Sequence, residues 1–171
     1  MKDDILIFTT KRLAVRRFVQ RDAELLYAYS REPENHDLPN DMFDSIEEAR
    51  RRLDIVIGNY RMPHYPLRYA VVRKEGMELI GNIAFKRMED YNIQLNVMIA
   101  SKYQNRGYGA EVMRGAVEYG KKALALEEVY ALMKTENAQA RAAFEQAGFQ
   151  MVGEYETDWY GERCPVCKYK A

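Results

Sequence analysis

The densest chemical signal in the chain is Gln104-Asn105-Arg106-Gly107-Tyr108-Gly109, followed at once by Ala110. Two glycines stand two apart, with an arginine before the first, between an alternating run (Asn92 to Ala100) and a run with helical spacing. A helix N-terminus leaves backbone N–H groups unpaired and carries partial positive charge. A glycine turn before it aims further amides the same way with no Cβ in front of them. The chemistry such a join performs is capture of phosphate oxygens. Gly107 supplies unusual backbone angles, Gly109 allows close approach, Arg106 adds charge at the mouth, and Gln104 braces the start of the loop. The spacing is neither a Walker loop, which needs G-K-[ST], nor a complete G-x-G-x-x-G dinucleotide fingerprint. Taken alone, it also describes a plain tight connection.

The other chemically reactive spacing is Cys164 and Cys167, in Cys-Pro-Val-Cys. A zinc site needs further ligands, and His36 and His64 are distant in sequence, so no metal is expected. A redox dithiol needs its first cysteine at a helix N-terminus, whereas these flanks read as a terminal strand. Two ordinary thiols are expected.

The elements that position these residues follow from periodicity. Lys11 to Phe18 alternates as a first strand, and Asp22 is placed to cap a helix over Ala23 to Glu32. Ser45 and Glu48 form an S-x-x-E capping box for a second helix carrying Ile46, Ala49, Leu53, Val56 and Tyr60. Leu67 to Lys74 and Leu79 to Met88 read as strands joined near Glu75-Gly76. Then come a strand from Ile93 to Ala100, the glycine turn, and a helix with Ala110, Met113 and Val117 on one face. Glu127 to Lys134 is a strand and Asn137 to Gly148 a helix, with Gly148 suited to a left-handed C-terminal position. Two strands finish the chain, turning around Tyr160-Gly161. The order β-α-α-β-β-β-α-β-α-β-β predicts an α/β fold, one mixed sheet with helices on both faces.

Composition sets the outer limits. One domain over residues 1–171 is expected from the length. The 26 basic and 26 acidic residues balance, so the footprint of a general nucleic-acid binder is missing. No apolar run reaches membrane-spanning length, and the acidic start, Met1-Lys2-Asp3-Asp4, does not suit a signal peptide. The cytoplasm is the expected location.

Gln104 to Gly109 resembles the acetyl-CoA pyrophosphate loop of the GCN5-related N-acetyltransferases (GNAT). About thirty residues on, Asn137, Ala140, Phe144 and Gly148-Phe149 resemble that family's second signature. The start, Phe8 to Phe18, is similar to the branch containing ribosomal-protein N-terminal acetyltransferases, and Asn92 to Gly109 is similar to spermidine/spermine N-acetyltransferases. The resemblance implies a single GNAT-like domain, a mostly antiparallel mixed sheet flanked by about four helices. It implies acetyl-CoA as co-substrate, with the pyrophosphate on the amides of Asn105 to Ala110. Pantetheine would run beside Val97-Met98-Ile99 as an added strand, with Asn137 and Phe144 near the thioester. The partners implied are acetyl-CoA and an amine acceptor, a peptide N-terminus or a small molecule, with neither nucleic acid nor membrane; a homodimer is left open.

Catalytic groups are not assigned by the resemblance. The family often places a glutamate base where Gln94 stands and a tyrosine acid where Phe144 stands, and some close relatives have serine at Ala140. Gln94, Asn96 and Asn137 are the catalytic candidates, with Asp90, Glu136 and Glu156 as alternative bases. At neutral pH an α-amine is about 10% neutral and a lysine or polyamine amine well below ~0.1%. A site without a strong base therefore favours an α-amine or weakly basic amine over a polyamine. His36, Asp37, Asp41 and Phe43, with Tyr155, Trp159 and Tyr160, are the candidate acceptor walls. The expected activity is direct transfer to a primary amine in a ternary complex; a catalytically weak or inactive acyl-CoA-binding module is the alternative.

Overall fold

The computed structural model describes residues 5–35 and 42–171. Its elements run β1 (Leu6–Thr9), β2 (Leu13–Arg16), α1 (Ala23–Ser30), α2 (Ile46–Asn59), β3 (Leu67–Arg73), β4 (Leu79–Arg87) and β5 (Ile93–Ile99). Then follow α3 (Tyr108–Ala123), β6 (Tyr130–Lys134), α4 (Ala138–Gln146), β7 (Gln150–Trp159) and β8 (Glu162–Lys170). Eight strands form one sheet in the order β1-β2-β3-β4-β5-β6-β8-β7, antiparallel at every pair except β5–β6. The fold is the single mixed-sheet α/β domain the sequence predicts.

Three details differ from the sequence reading. Leu6–Thr9 is an additional edge strand: it is half exposed, so burial imposes no alternation to read. Asp22 makes no side-chain cap on α1. Its carboxylate turns back to Val19 N–H at 3.0 Å and holds Arg16 by two hydrogen bonds of 2.8 and 2.9 Å, a buried bidentate pair. Half of the predicted Ser45/Glu48 box forms: the Ser45 hydroxyl accepts from Glu48 N–H at 3.1 Å, but Glu48 accepts from Asp44 N–H at 2.7 Å and not from Ser45 N–H.

Alternation along β4 shows that the helices cover both faces. Asn82 donates to the Tyr29 hydroxyl of α1 at 3.0 Å. Phe85, three residues on, packs against Tyr119 of α3 with ring centroids 6.1 Å apart. Odd separation on a regular strand means opposite faces, so α1 lies on one side and α3 on the other. β5 pairs with β4 in unbroken register. Gln94, Asn96 and Met98 therefore share the α1 face, and Leu95, Val97 and Ile99 the α3 face.

α4 ends as its sequence predicts. Gly148 sits at φ +94°, and Phe149 N–H bonds Phe144 O at 3.0 Å around it. Phe144 and Phe149 meet edge to face at 5.0 Å, a contact worth about 1 kcal/mol beyond burial.

Candidate functional site

The sheet opens between β5 and β6. Their parallel ladder consists of one bridge, Gln94 to Tyr130, after which no register continues. Ala100 N–H bonds Ile80 O at 2.8 Å, so alternate residues Met98, Asn96 and Gln94 direct their backbone groups to β4. The amides and carbonyls of Leu95, Val97 and Ile99 consequently face the gap. A cleft of about 610 Å³ occupies it.

At the C-terminal end of β5 the chain enters the glycine turn. Asn105 and Gly107 take left-handed angles, φ +57° and +78°. The first α3 hydrogen bond runs from Glu111 N–H to Gly107 O, and no side chain caps the helix. The amides of Gly107 to Ala110 are thus left without intrahelical acceptors, at the positive end of a 16-residue helix. Gly107, Gly109 and Ala110 line the cleft. A Cβ on Gly109 would find only Met113 Cε, 4.0 Å away, so the space before it is open. Unpaired amides before open space can receive an anion.

Gln104 spans the rim. Its Nε2 donates to Ile99 O at 2.8 Å and its Oε1 accepts from Gln139 at 3.1 Å, tying β5 to the first turn of α4. Asn137 lines the cleft and caps α4, its Oδ1 accepting from Ala140 N–H at 3.0 Å.

Of the residues expected from sequence, Val97, Ile99, Gln104, Asn105, Gly107, Gly109, Ala110, Asn137 and Phe144 line this one cleft. Met98, Arg106 and Tyr108 do not. Met98 pairs its backbone with β4 and buries its side chain on the α1 face. Tyr108 lies under the Arg12 guanidinium, 4.3 Å from ring centroid, and Arg106 lies over Tyr103 at 6.0 Å. Asn96 lines the cleft, whereas Gln94 does not and instead donates to Asn96 Oδ1 at 2.7 Å.

Of the carboxylates named from sequence, the described ones, Asp90, Glu136 and Glu156, do not line the cleft. Asp90 pairs with Lys168 at 3.1 Å, and Glu136 and Glu156 are exposed. Glu34, which sequence reasoning passed over, is the one acid among the described lining residues. It comes with Asn35 from the segment after α1, and Asn35 is fixed to Tyr29 O at 2.9 Å. The cleft thus passes through the sheet: α3 and α4 border it from one face, the α1 segment from the other. Trp159 closes a wall at the end of β7, held by the tight turn at Tyr160 (φ +54°) and Gly161 (φ +91°). Tyr155 and Tyr160 stay outside the lining, and His36, Asp37 and Asp41 fall outside the described residues.

Phe43 is buried beside a second hollow of about 300 Å³ between α2 and β3–β4, which shares no lining residue with the first. Both cysteines lie on β8 away from the cleft. Burial pushes the Cys164 thiol up, Lys134 pulls it down, and the neighbouring glutamates push it up again, so the net shift is away from thiolate. Among the described residues no group of three His, Cys, Asp or Glu could hold a metal ion, and no helix is long and apolar enough to cross a membrane.

Residues 12–150 match the family described as Acetyltransferase (GNAT) domain. The uncharacterized N-acetyltransferase YoaA of Bacillus subtilis is 26% identical over 162 residues, 93% of this chain and 91% of that protein. Among solved structures, a ribosomal-protein-S5-alanine acetyltransferase from Vibrio fischeri aligns with TM-score 0.78 at 18% identity, covering 98% of this chain and 96% of the other. A spermidine N-acetyltransferase from Vibrio cholerae, solved with CoA and spermine, aligns at 0.75 and 18% identity, covering 94% and 95%.

Proposed function

The chain belongs to the GNAT acetyltransferases, and from that premise we propose that it transfers an acetyl group from acetyl-CoA to a primary amine by direct attack within a ternary complex. The observation that carries the reading is the opening between β5 and β6, which ends on the uncapped N-terminus of α3. A long ligand with a strand-like arm and a diphosphate fits both parts. In this reading the amides of Gly107 to Ala110 hold the pyrophosphate, and the backbone of Val97 and Ile99 pairs with the arm. Acetyl-CoA supplies the activated acetyl group as a thioester.

Among the described lining residues there is no Ser, Cys, His, Lys or Tyr. None of these described residues offers the usual nucleophile for an acyl-enzyme, and in this reading the amine itself attacks. The two faces of the opening supply the geometry: the donor lies along the α3–α4 side, and the acceptor enters beside Glu34, Asn35 and Trp159. Catalysis then rests on proximity and on backbone amides of β5 polarising the carbonyl. Glu34 draws in the acceptor's ammonium form; the amine attacks once it has lost its proton to solvent, the C–S bond breaks, and CoA leaves as the thiolate, which water protonates.

With the proton lost to solvent, the acceptor of choice is an α-amine, as on a protein N-terminus, or another weakly basic small amine. The test is CoA thiol release over a panel of peptides, amino acids and polyamines. Turnover of peptides or α-amines at neutral pH supports the reading, and fast turnover of spermidine alone overturns the acceptor class. Among the described lining residues there is no Ser, Thr or Tyr hydroxyl to donate a proton, which favours a second reading, an acyl-CoA-binding module. Acetyl-CoA binding with no thiol release from any amine would establish that reading instead.

A further inference from the structure

We propose that Arg12, in the β1–β2 turn and outside the cleft, is a positioning residue that sets affinity for the pyrophosphate of the acyl donor; this rests on the acetyl-CoA reading above. Arg12 makes four contacts with the start of α3. Its N–H donates to Glu111 Oε1 at 2.8 Å, its Nε to Glu111 Oε2 at 2.6 Å, and its Nη1 to Arg106 O at 3.0 Å. Its guanidinium also covers the Tyr108 ring. Thr10 adds a hydroxyl to Glu111 Oε1 at 2.6 Å. The turn is itself anchored: Lys74 N–H bonds Arg12 O at 2.9 Å, and the Lys74 ammonium bonds Thr10 O.

Peptide planarity carries the argument. Arg106 C=O is drawn toward Arg12, so the N–H across the same peptide plane, that of Gly107, points the opposite way. Gly107 lines the cleft. Glycine at φ +78° tolerates other angles at little cost, so this plane turns readily once the carbonyl is released. Arg12 holds it with a donor facing the anion cradle. It also neutralises Glu111, whose side chain is 12% exposed and sits in the first turn of α3, where it would repel a phosphate.

The two effects act on the pyrophosphate and not on the acetyl end. The test compares acetyl-CoA with S-acetylpantetheine, which lacks the pyrophosphate, in the full chain and its Arg12→Gln variant. The expected result is a KM for acetyl-CoA raised about tenfold, as for loss of charge-assisted hydrogen bonds, with kcat and all S-acetylpantetheine kinetics unchanged. Arg12→Lys restores charge without the fork, so a selective but smaller loss is expected; it serves as the test if Arg12→Gln does not fold. An unchanged KM for acetyl-CoA, or an equal loss with both donors, overturns the proposal. Failure of the unmutated chain to bind acetyl-CoA overturns the acetyltransferase reading instead.

Discussion

Gln94 donates from Nε2 to Asn96 Oδ1 at 2.7 Å, and of the two only Asn96 reaches the cleft. Gln94, at the position that the sequence resemblance equates with a family base, is therefore a side chain that orients a neighbour. Gln94→Ala should leave kcat/KM within about threefold of the unmutated chain, as for a substitution outside the reacting groups. A hundredfold loss in steady-state turnover would show that Gln94 acts on the amine after all.

Glu34 carries the opposite expectation. Removing its charge with Glu34→Gln should raise the acceptor KM about tenfold, while the KM for acetyl-CoA stays put. Initial-rate measurements at varied acceptor and fixed donor separate the two constants.

The two glycines of the loop should fail in different ways. Gly109→Ala meets open space in the protein, so its melting temperature should hold while acetyl-CoA binding weakens about tenfold from a methyl in the anion's path. Gly107→Ala places a Cβ at φ +78° and should lose about 1 kcal/mol of stability in addition. Calorimetric titration beside thermal melts reads both.

The Arg16–Asp22 pair has side chains 8% and 4% exposed. Asp22→Asn removes the bidentate carboxylate from a buried guanidinium and should cost about 3 kcal/mol, lowering Tm by about 10 °C in a chain of this size. Replacing both residues by apolar ones should cost less than the single change, a comparison made by parallel melts.

Glu111 gives the stability an acid dependence. Burial raises its pKa, but hydrogen bonds from the Thr10 hydroxyl and the Arg12 amide and guanidinium outweigh this, and the net shift is downward. A folded-state pKa below the unfolded one contributes stability that is present above the ordinary carboxylate range and lost as pH falls through the lower folded value. Glu111→Gln should therefore flatten the acid limb of a Tm-against-pH curve. Equal slopes in the two proteins would remove Glu111 from the account.

What the sequence reveals and what it hides divide along physical lines. The glycine turn and the Asn137-to-Phe149 helix are local: their angles, caps and aromatic contacts lie within a dozen residues, and their spacing identifies them. The Leu6–Thr9 strand is an edge with little buried area, so no periodicity marks it. Arg12 and Glu34 are ordinary charges by pattern, and only contacts across most of the chain bring them to the loop and the cleft. Asp22 occupies a cap position in sequence, yet a buried arginine outcompetes the helix for its carboxylate.

The single bridge between β5 and β6 also bears on solubility. Unpaired strand edges invite foreign strands and seed aggregation, and proteins ordinarily blunt them at the outer margins of a sheet. Here an unpaired edge lies in the middle of the sheet, bordered by α3 and α4, where an intruding polypeptide meets helices before it meets backbone. The helices that border the opening therefore shield it from pairing with a foreign strand.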